Sequence, residues 1–463
     1  MKKLLLAFAL ITAVANAQVT LLAVGSLTKS RAGSYADLSG LHNTLENGVP
    51  ANALGGLGSG LAYASGNTFL GLPDRGPNAV PYDSAIDDTS SYIPRFHTIT
   101  MDLQPNTSGT GLPFTLTPTL QRTTLLWSLT PPVYSTGDGL GVGSGVPPQN
   151  NFFFHFFSGR SDNFDPDQNS GNPHDARLDP EGIRVSNDGL SVFISDEYGP
   201  YVYQFDRLLG VRLRVFKLPD NLFSPNLSPV GSTEISGNTT GRTANKGMEG
   251  LAITPDGKTL VGVVQAALIQ DNLQGGAGAK LLRIVTIDIR TGVTHEYAYS
   301  LTTGSGVSEI LALNNHEFLL DERDGKGRGD NGSKAKIKQI FKVDLAGAVD
   351  ITDMDGLTAA THAVPKTLFL DVVSKLTAPP LNLDSTLIPS KIEGMAFGTD
   401  VLQGSTKLHT LWVANDNDFL ATVPDANGNP VDNPNQFFVF GFTDADLAGS
   451  TLAPQQFNRF PTF

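Results

Sequence analysis

The chain has 463 residues, contains no cysteine and carries a net charge of −13 at pH 7. Without cysteine there can be no disulfide, thiol nucleophile or thiolate zinc ligand, and the acidic balance argues against electrostatic binding to nucleic acid or anionic lipid. The 49 glycines and 29 prolines favour many strands joined by tight turns over long helices.

The N-terminus is typical of a secretory signal peptide. Two lysines precede the apolar run 4–14, and alanines flank Asn16 in the small-x-small pattern of a cleavage site. We therefore expect residues 1–17 to be removed after Ala17, and residues 18–463 to form a single secreted or periplasmic domain. No later apolar run reaches the ~18 residues that a membrane-spanning helix needs, so no membrane span is expected.

One strand-turn-strand pattern recurs along the chain. At residues 179–197 a Glu-Gly step opens a short apolar strand, an Asp-Gly turn follows, and a second strand ends in acidic residues. Copies begin near residues 250 and 394, and weaker copies near residues 60 and 310. Repeats of one β unit predict an all-β fold, a β-propeller of about six or seven blades with long loop insertions.

Three other segments carry structural predictions. The apolar strand at 19–24 or the Phe-rich strand at 437–442 is expected to complete a shared blade. Residues 152–157, five phenylalanines and a histidine, predict a buried strand.

The loop 162–171 is a candidate calcium loop because it alternates oxygen side chains at Asp165, Asp167 and Asn169. Its glycine falls one place late for an EF-hand and no helices flank it. A solvated turn is therefore an equal alternative.

The repeated glutamate points to a site. In a propeller the innermost strands line the axial channel, so a residue repeated at the start of each strand forms a ring around one mouth. The expected ring, which would bind metal together with Asp74, consists of Glu181, Glu249, Glu309 and Glu393. Like charges so arranged cannot all stay ionised without a cation, and oxygen donors with few histidines favour calcium over zinc. The alternative is structural, with each glutamate capping backbone N–H groups of a neighbouring blade.

Basic residues accompany these acids. The candidates for binding an anionic group of the substrate, such as a phosphate, are Arg75, Arg177, Lys246, Arg323 and Lys391. Ordinary salt bridging is the alternative for any one of them.

Nucleophilic catalysis is weakly supported because no Gly-x-Ser-x-Gly elbow occurs. Metal-activated water is the simpler mechanism. Its candidate catalytic carboxylates are Glu181, Asp196 and Glu197. No organic cofactor is expected.

An ordered set of motifs resembles the phytase-like secreted propellers described by "esterase-like activity of phytase". The motifs are GLAY at 60–63 with DRGP at 74–77, DPEGI at 179–183 with SDEYGP at 195–200, NKGMEGL at 245–251 and KIEG at 391–394. The resemblance implies a β-propeller and hydrolysis of phosphate or carboxylic esters, with calcium as the candidate cofactor. Lys246 stands where the resemblance leads us to expect arginine, which keeps the charge but loses the planar fork.

The sequence thus predicts an exported calcium-dependent hydrolase of phosphoesters or related esters. We expect a monomer acting on a small anionic or ester substrate. Two alternatives stay open: a non-catalytic ligand-binding propeller with a structural calcium, and a lactonase-type propeller hydrolase.

Overall fold

The chain folds as a five-bladed β-propeller. A computed structural model describes residues 19–27, 35–77, 89–134, 143–302 and 304–458, so the predicted signal peptide lies outside the described residues. The main sheets are five, each with four antiparallel strands in sequence around an axis. The prediction of six or seven blades is therefore wrong. The long gaps between copies of the repeat hold insertions in place of further blades.

Four blades are built from consecutive strands, named here from the axis outward. Blade 1 comprises Gly60–Ser65, Thr68–Leu72, Arg95–Pro105 and Phe114–Leu125; blade 2 comprises Pro180–Val185, Ser191–Asp196, Tyr201–Asp206 and Arg212–Lys217. Blade 3 comprises Met248–Ile253, Thr259–Val264, Leu281–Asp288 and Thr294–Ser300; blade 4 comprises Gly306–Ala312, Glu317–Arg323, Lys338–Asp344 and Lys366–Asp371.

Blade 5 joins the two ends of the chain. Its inner strands are Ile392–Phe397, Thr406–Asn415 and Gln436–Phe442, and its outermost strand is Thr20–Ser26. The predicted shared blade is confirmed, because Thr20–Ser26 pairs antiparallel with the Phe-rich strand. This pairing closes the ring with backbone hydrogen bonds between distant parts of the sequence.

The remaining elements are short and lie outside the blades. The minor strands are Trp127–Ser128, His155–Phe156, Val401–Gln403, Thr422–Pro424 and Pro430–Asp432. The helices are Gly231–Ser236, Ile269–Asn272, Gly356–Ala360 and Val372–Thr377, with 3-10 turns at Asp220–Leu222, Gly278–Lys280 and Asp444–Leu447. No helix among the described residues has the length and hydrophobicity to cross a membrane.

The hydrophobic core lies between the faces of adjacent blades. Phe69 of blade 1, for example, packs its ring 4.6 Å from that of Trp412 in blade 5. The predicted buried strand at 152–157 is wrong in its first half, because Phe152 is 87% exposed and only His155–Phe156 forms a short strand. That segment belongs to the insertion between blades 1 and 2, where no facing sheet covers it.

The five inner strands contact one another in a closed ring. They approach closely at the glycines that follow Glu181, Glu249 and Glu393. A Cβ placed on Gly182, Gly250 or Gly394 would lie 2.7 Å from backbone atoms of the next inner strand, a distance that real Cβ atoms do not tolerate. Glycine is therefore required because the strands converge there.

A β-bulge accompanies each Glu-Gly step. The ladder between the first and second strands shifts register between Pro180 and Ile183, between Met248 and Gly250, and between Ile392 and Met395. A bulge leaves a residue out of the pairing and redirects its side chain. The glutamate can therefore turn toward one mouth of the channel while the rest of the strand keeps its alternation.

Arg184 of blade 2 spans the channel beneath this mouth. Its Nη1 donates to the carbonyl oxygen of Leu61 in blade 1 at 2.7 Å, and its Nη2 donates to that of Ile310 in blade 4 at 3.0 Å. The same Nη2 lies 3.0 Å from Oε2 of Glu309. The Arg184–Glu309 pair thus ties three blades together.

A second buried carboxyl lies opposite Glu309. Asp321 pairs with Glu309 in the ladder, is 0% exposed, and neither of its oxygens has a hydrogen-bond partner among the described residues. Burial raises the pKa of Asp321 to about 7, and the charges of Arg323 and Lys338 only partly oppose it. The interior of blade 4 therefore favours the protonated form of this carboxyl.

We expect Gly250→Ala to destabilise the propeller by about 1–3 kcal/mol, because the new methyl group would overlap the backbone of Glu309 and Ile310. Chemical unfolding followed by circular dichroism measures the change. Gly325→Ala is the matched control, since a Cβ there meets nothing within 4 Å. Equal stability of the two variants would contradict a strand contact that requires glycine.

Asp321→Asn should stabilise the protein at pH 8 and have little effect at pH 4. The folded protein holds a proton on Asp321 up to about pH 7, whereas an unfolded aspartate releases it near pH 4. The free energy of unfolding of the wild type therefore falls as the pH rises from about 4 to about 7. The asparagine side chain does not titrate, so the variant lacks this part of the pH dependence. Urea unfolding at both pH values tests this, with the exposed Asp220→Asn as control; equal destabilisation at both pH values would contradict it.

Candidate functional site

One mouth of the axial channel opens into a polar cavity of about 300 Å³. Its walls come from two places in each blade, the start of the inner strand and the end of the second strand. These places are adjacent because the two strands are antiparallel, as the pairings of Pro180 with Asp196 and of Ile392 with Asn415 show. The repeated glutamates and the acidic residues that end the second strands therefore lie close together.

Most of the predicted site residues line this cavity. They are Asp74, Arg75, Glu181, Glu197, Lys246, Glu249, Arg323, Lys391 and Glu393. The side chains of Arg177, Asp196 and Glu309 do not line it.

Glu309 is displaced by one residue relative to the other glutamates. In blade 4 the residue left out of the pairing is Ser308, and Glu309 takes the paired position that Gly250 has in blade 3. Ser308 accordingly lines the cavity, whereas Glu309 points below it toward Arg184. Backbone N–H groups of Leu251 and Ile310 donate to Oε1 of Glu309 at 3.0 and 2.9 Å, which matches the capping role considered for the ring.

Asp196 and Arg177 support the cavity wall from behind. Asp196 accepts hydrogen bonds from the backbone N–H groups of Asp179 and Tyr198 at 2.9 and 3.1 Å, which fixes the turn that carries Glu197. The guanidinium of Arg177 donates to the carbonyl oxygen of Ser161 at 3.2 Å and lies over the ring of Tyr198.

Three glutamates from blades 2 and 3 form the acidic side of the cavity. One carboxylate oxygen each from Glu181, Glu197 and the neighbouring Asp179 lie within 4.8 Å of one another. Glu249 stands beside them, with Oε1 accepting from Nε2 of Gln265 at 2.6 Å. Its Oε2 is buried and receives no hydrogen bond from a described donor. We call Glu181, Glu197 and Glu249 the glutamate trio.

Burial and mutual repulsion shift the proton affinity of the trio upward. Burial raises the pKa of Glu181 and of Glu197 well above the usual range, and in both the nearby Glu249 carboxylate adds to the shift. Burial also raises the pKa of Glu249, and the charge of Arg323 and hydrogen bonds with Gln265 and Glu197 offset it only in part. A positive ion among these oxygens would reverse the shifts.

Arg323 and Glu393 form an ion pair on the opposite wall. Nη2 of Arg323 lies 2.5 Å from Oε1 of Glu393, and its Nε donates to Oγ of Ser308 at 2.5 Å. Burial nonetheless raises the pKa of Glu393 to about 8, with Arg323 opposing the rise. Two contacts therefore hold the Arg323 guanidinium in a fixed orientation at the cavity wall.

Lys391 lies within a second acidic group, made by Asp74, Asp416 and Asp418. One carboxylate oxygen from each aspartate lies within 4.8 Å of the others. Nζ of Lys391 donates to Oδ2 of Asp416 at 2.8 Å and also to Oδ1 of Asp418. We call Asp74, Asp416 and Asp418 the aspartate trio.

Arg75 links blades 1 and 2. Its backbone N–H and Nη1 donate to the two carboxylate oxygens of Asp179 at 3.0 and 2.8 Å. Nη1 also donates to Oδ1 of Asn245, a residue with a left-handed backbone at φ 56°. Lys246 in turn donates to Oε1 of Gln265 at 3.3 Å.

Sequence reasoning missed several wall residues. They are Asn245, Gln265, Ser305, Ser308 and Asp416. For Asp416 a signal existed, since it follows the second strand of blade 5 as Asp74 follows that of blade 1. Gln265 occupies the same place in blade 3, but an isolated amide gives no signal until the acids on either side are known to meet.

The chemistry of the glutamate trio fits a hard divalent cation. All the available donors are carboxylate oxygens, the kind that calcium and magnesium prefer. Oε2 of Glu249, in a residue only 3% exposed, lacks a donor unless the neighbouring Glu197 carboxyl is protonated, so either a proton or a positive ion belongs between these oxygens.

The calcium loop proposed for residues 162–171 has a simpler local explanation. Asp165 accepts from the backbone N–H of Asp167 at 3.0 Å, and Asn169 accepts from that of Gly171 at 2.8 Å. Asp162 pairs with Arg160. Contacts of this kind, from a side chain to the backbone two residues later, are typical of turns. They agree with a solvated turn, the alternative to a calcium loop.

Comparisons with known proteins give one sequence relative and several solved structures. An uncharacterized secreted protein of Arthroderma benhamiae is 36% identical over 177 residues, which is 32% of this chain and 34% of the relative. The match thus spans about a third of that relative's length. A putative 6-phosphogluconolactonase from Bacteroides uniformis is 15% identical, with 91% of this chain and 99% of the other covered, at a TM-score of 0.30. Sqt1 of Saccharomyces cerevisiae is 8% identical, with 82% and 70% covered, at a TM-score of 0.29. Neither similarity is close enough to support an argument.

A family model with the description "Esterase-like activity of phytase" matches residues 52–419. That range includes all the motifs on which the resemblance was based and most of the cavity wall. The chain belongs to the phytase-like family.

Proposed function

We propose that this protein is an exported, metal-dependent hydrolase of phosphoesters or related esters. The observation that carries the proposal is the cavity, where an acidic trio faces fixed cations across a space for a small ligand. Family membership supports ester hydrolysis. The secreted relative and the N-terminal pattern support export.

The cations suit an anionic substrate group. Arg323 is held by Glu393 and Ser308, so its guanidinium is oriented before a ligand arrives. Arg75, Lys246 and Lys391 share the same cavity. Fixed positive groups of this kind stabilise the negative charge that develops on ester or phosphoryl oxygens.

The glutamate trio would hold the divalent cation, with calcium as the expected ion because every donor is an oxygen. Such an ion supplies Lewis acidity and lowers the pKa of water. No organic cofactor is expected.

Glu181 and Glu197 are the proposed catalytic carboxylates. Both line the cavity, so either can accept a proton from a bound ligand through a carboxylate oxygen that the ion leaves free. We assign Asp196 and Arg177 to positioning, since both act on the wall and not inside the cavity.

The direct test is an activity panel on the purified protein. We expect calcium-dependent turnover of a phosphomonoester, a carboxylic ester or phytate, and loss of that turnover with a chelator. Absence of turnover on all three with calcium present would contradict the proposal. If chelation lowers the melting temperature and no substrate is turned over, the ion is structural, because a ligand bound only by the native state stabilises it. Faster turnover of a sugar lactone than of any other ester would favour the lactonase alternative.

Glu181→Gln and Glu249→Gln should each lower kcat/KM by about 10²-fold or more, because each removes a negative charge from the trio while keeping its shape. Steady-state kinetics with saturating calcium measures the loss. Glu317→Gln is the control, since this glutamate contacts Lys342 and Ser450 away from the cavity. Unchanged kinetics in both trio variants would contradict the assigned site.

A further inference from the structure

The cavity contains two acidic groups that differ in what neutralises them. The glutamate trio lies on the side of blades 2 and 3, and the aspartate trio lies on the side of blades 5 and 1. One oxygen from each residue of the aspartate trio lies within 4.8 Å of the others, and on the opposite side Glu181 and Glu197 offer such oxygens together with Asp179. Glu249 lines the same cavity. The contacts of the nearby basic side chains distinguish them.

At the aspartate trio a cation is already present in the chain. Nζ of Lys391 contacts carboxylate oxygens of both Asp416 and Asp418. A calcium ion bound to the same oxygens would lie about 2.3–2.6 Å from each, in the space the ammonium group fills. The two cations exclude each other.

The ammonium group is held firmly. Asp418 donates its backbone N–H to Oδ1 of Asp416 at 2.7 Å, which fixes the two carboxylates relative to each other. The ammonium group therefore forms ion pairs with both carboxylates at once.

At the glutamate trio no such side chain intrudes. Both Asp179 oxygens are bound by Arg75, and Lys246 donates to Gln265. No salt bridge to Glu181 or Glu197 is found in the part of the chain that the structure describes. Oε2 of Glu249 remains buried without a donor.

We propose that the protein binds one divalent cation, at the glutamate trio, and that the Lys391 ammonium takes the place of a second cation at the aspartate trio. This rests on the metal site of the proposed function. It adds that Lys391 sets the number of ions the cavity accepts. Removing the ammonium should convert the aspartate trio into a second site.

The experiment counts bound calcium by isothermal titration and by equilibrium dialysis with elemental analysis, using calcium alone as the probe. We expect one ion per chain for the wild type and two for Lys391→Met. Adding Asp74→Asn to Lys391→Met should weaken the second ion at least tenfold. Lys246→Met is the matched control, because it removes a cavity lysine bonded to an amide, and it should leave one ion.

Two ions in the wild type, or an unchanged count in a folded Lys391→Met variant, would overturn the inference. If Lys391→Met does not fold, Lys391→Gln and the wild-type count still decide it. The count is independent of turnover. If the wild type binds one ion, the Lys391→Met variant binds two and no ester is hydrolysed, the inference about Lys391 is supported and the proposed activity is contradicted.

Discussion

The close contact between neighbouring inner strands is the constraint on which the rest of the structure depends. At Gly182, Gly250 and Gly394 the next strand lies where a side chain would otherwise be. Convergence toward the axis demands this, since strands at the centre of a ring have less room than those at its rim. The bulge at each of these positions then leaves the preceding glutamate free to face the mouth. Architecture and site thus have one local cause.

Bringing so many charged groups together in this cavity costs electrostatic free energy. Six carboxylates line it, on Asp74, Glu181, Glu197, Glu249, Glu393 and Asp416, against the four cations Arg75, Lys246, Arg323 and Lys391. Burial disfavours every one of these charges. The cations are unevenly spread, because Lys391 and Arg323 form salt bridges with acids of blade 5, whereas no salt bridge to the glutamate trio is found among the described residues. The imbalance is what makes the trio a candidate for an ion from solution.

Arg184 and Glu309 cross-link the inner strands of three blades. Arg184 reaches carbonyl oxygens of two other blades, and Glu309 meets it from blade 4. Blades 1, 2 and 4 are joined by this pair at the point where a channel would otherwise weaken their packing, and the N-terminal strand performs the corresponding closure at the rim of blade 5.

The sequence by itself determined the type of fold, the family and most of the cavity wall, because a repeated Glu-Gly step, with acids ending the next strand, encodes the same local geometry wherever it occurs. Only the tertiary structure decided the number of blades and the exact set of inward side chains. Spacing along the chain does not distinguish an insertion from a blade, and a run such as 152–157 is apolar whether or not another sheet covers it. Glu309 shows most clearly what the sequence does not determine. A bulge placed one residue earlier exchanges its role with that of Ser308. The groups that Glu309 then contacts, on Arg184 and Leu251, belong to other blades, which no single repeat contains.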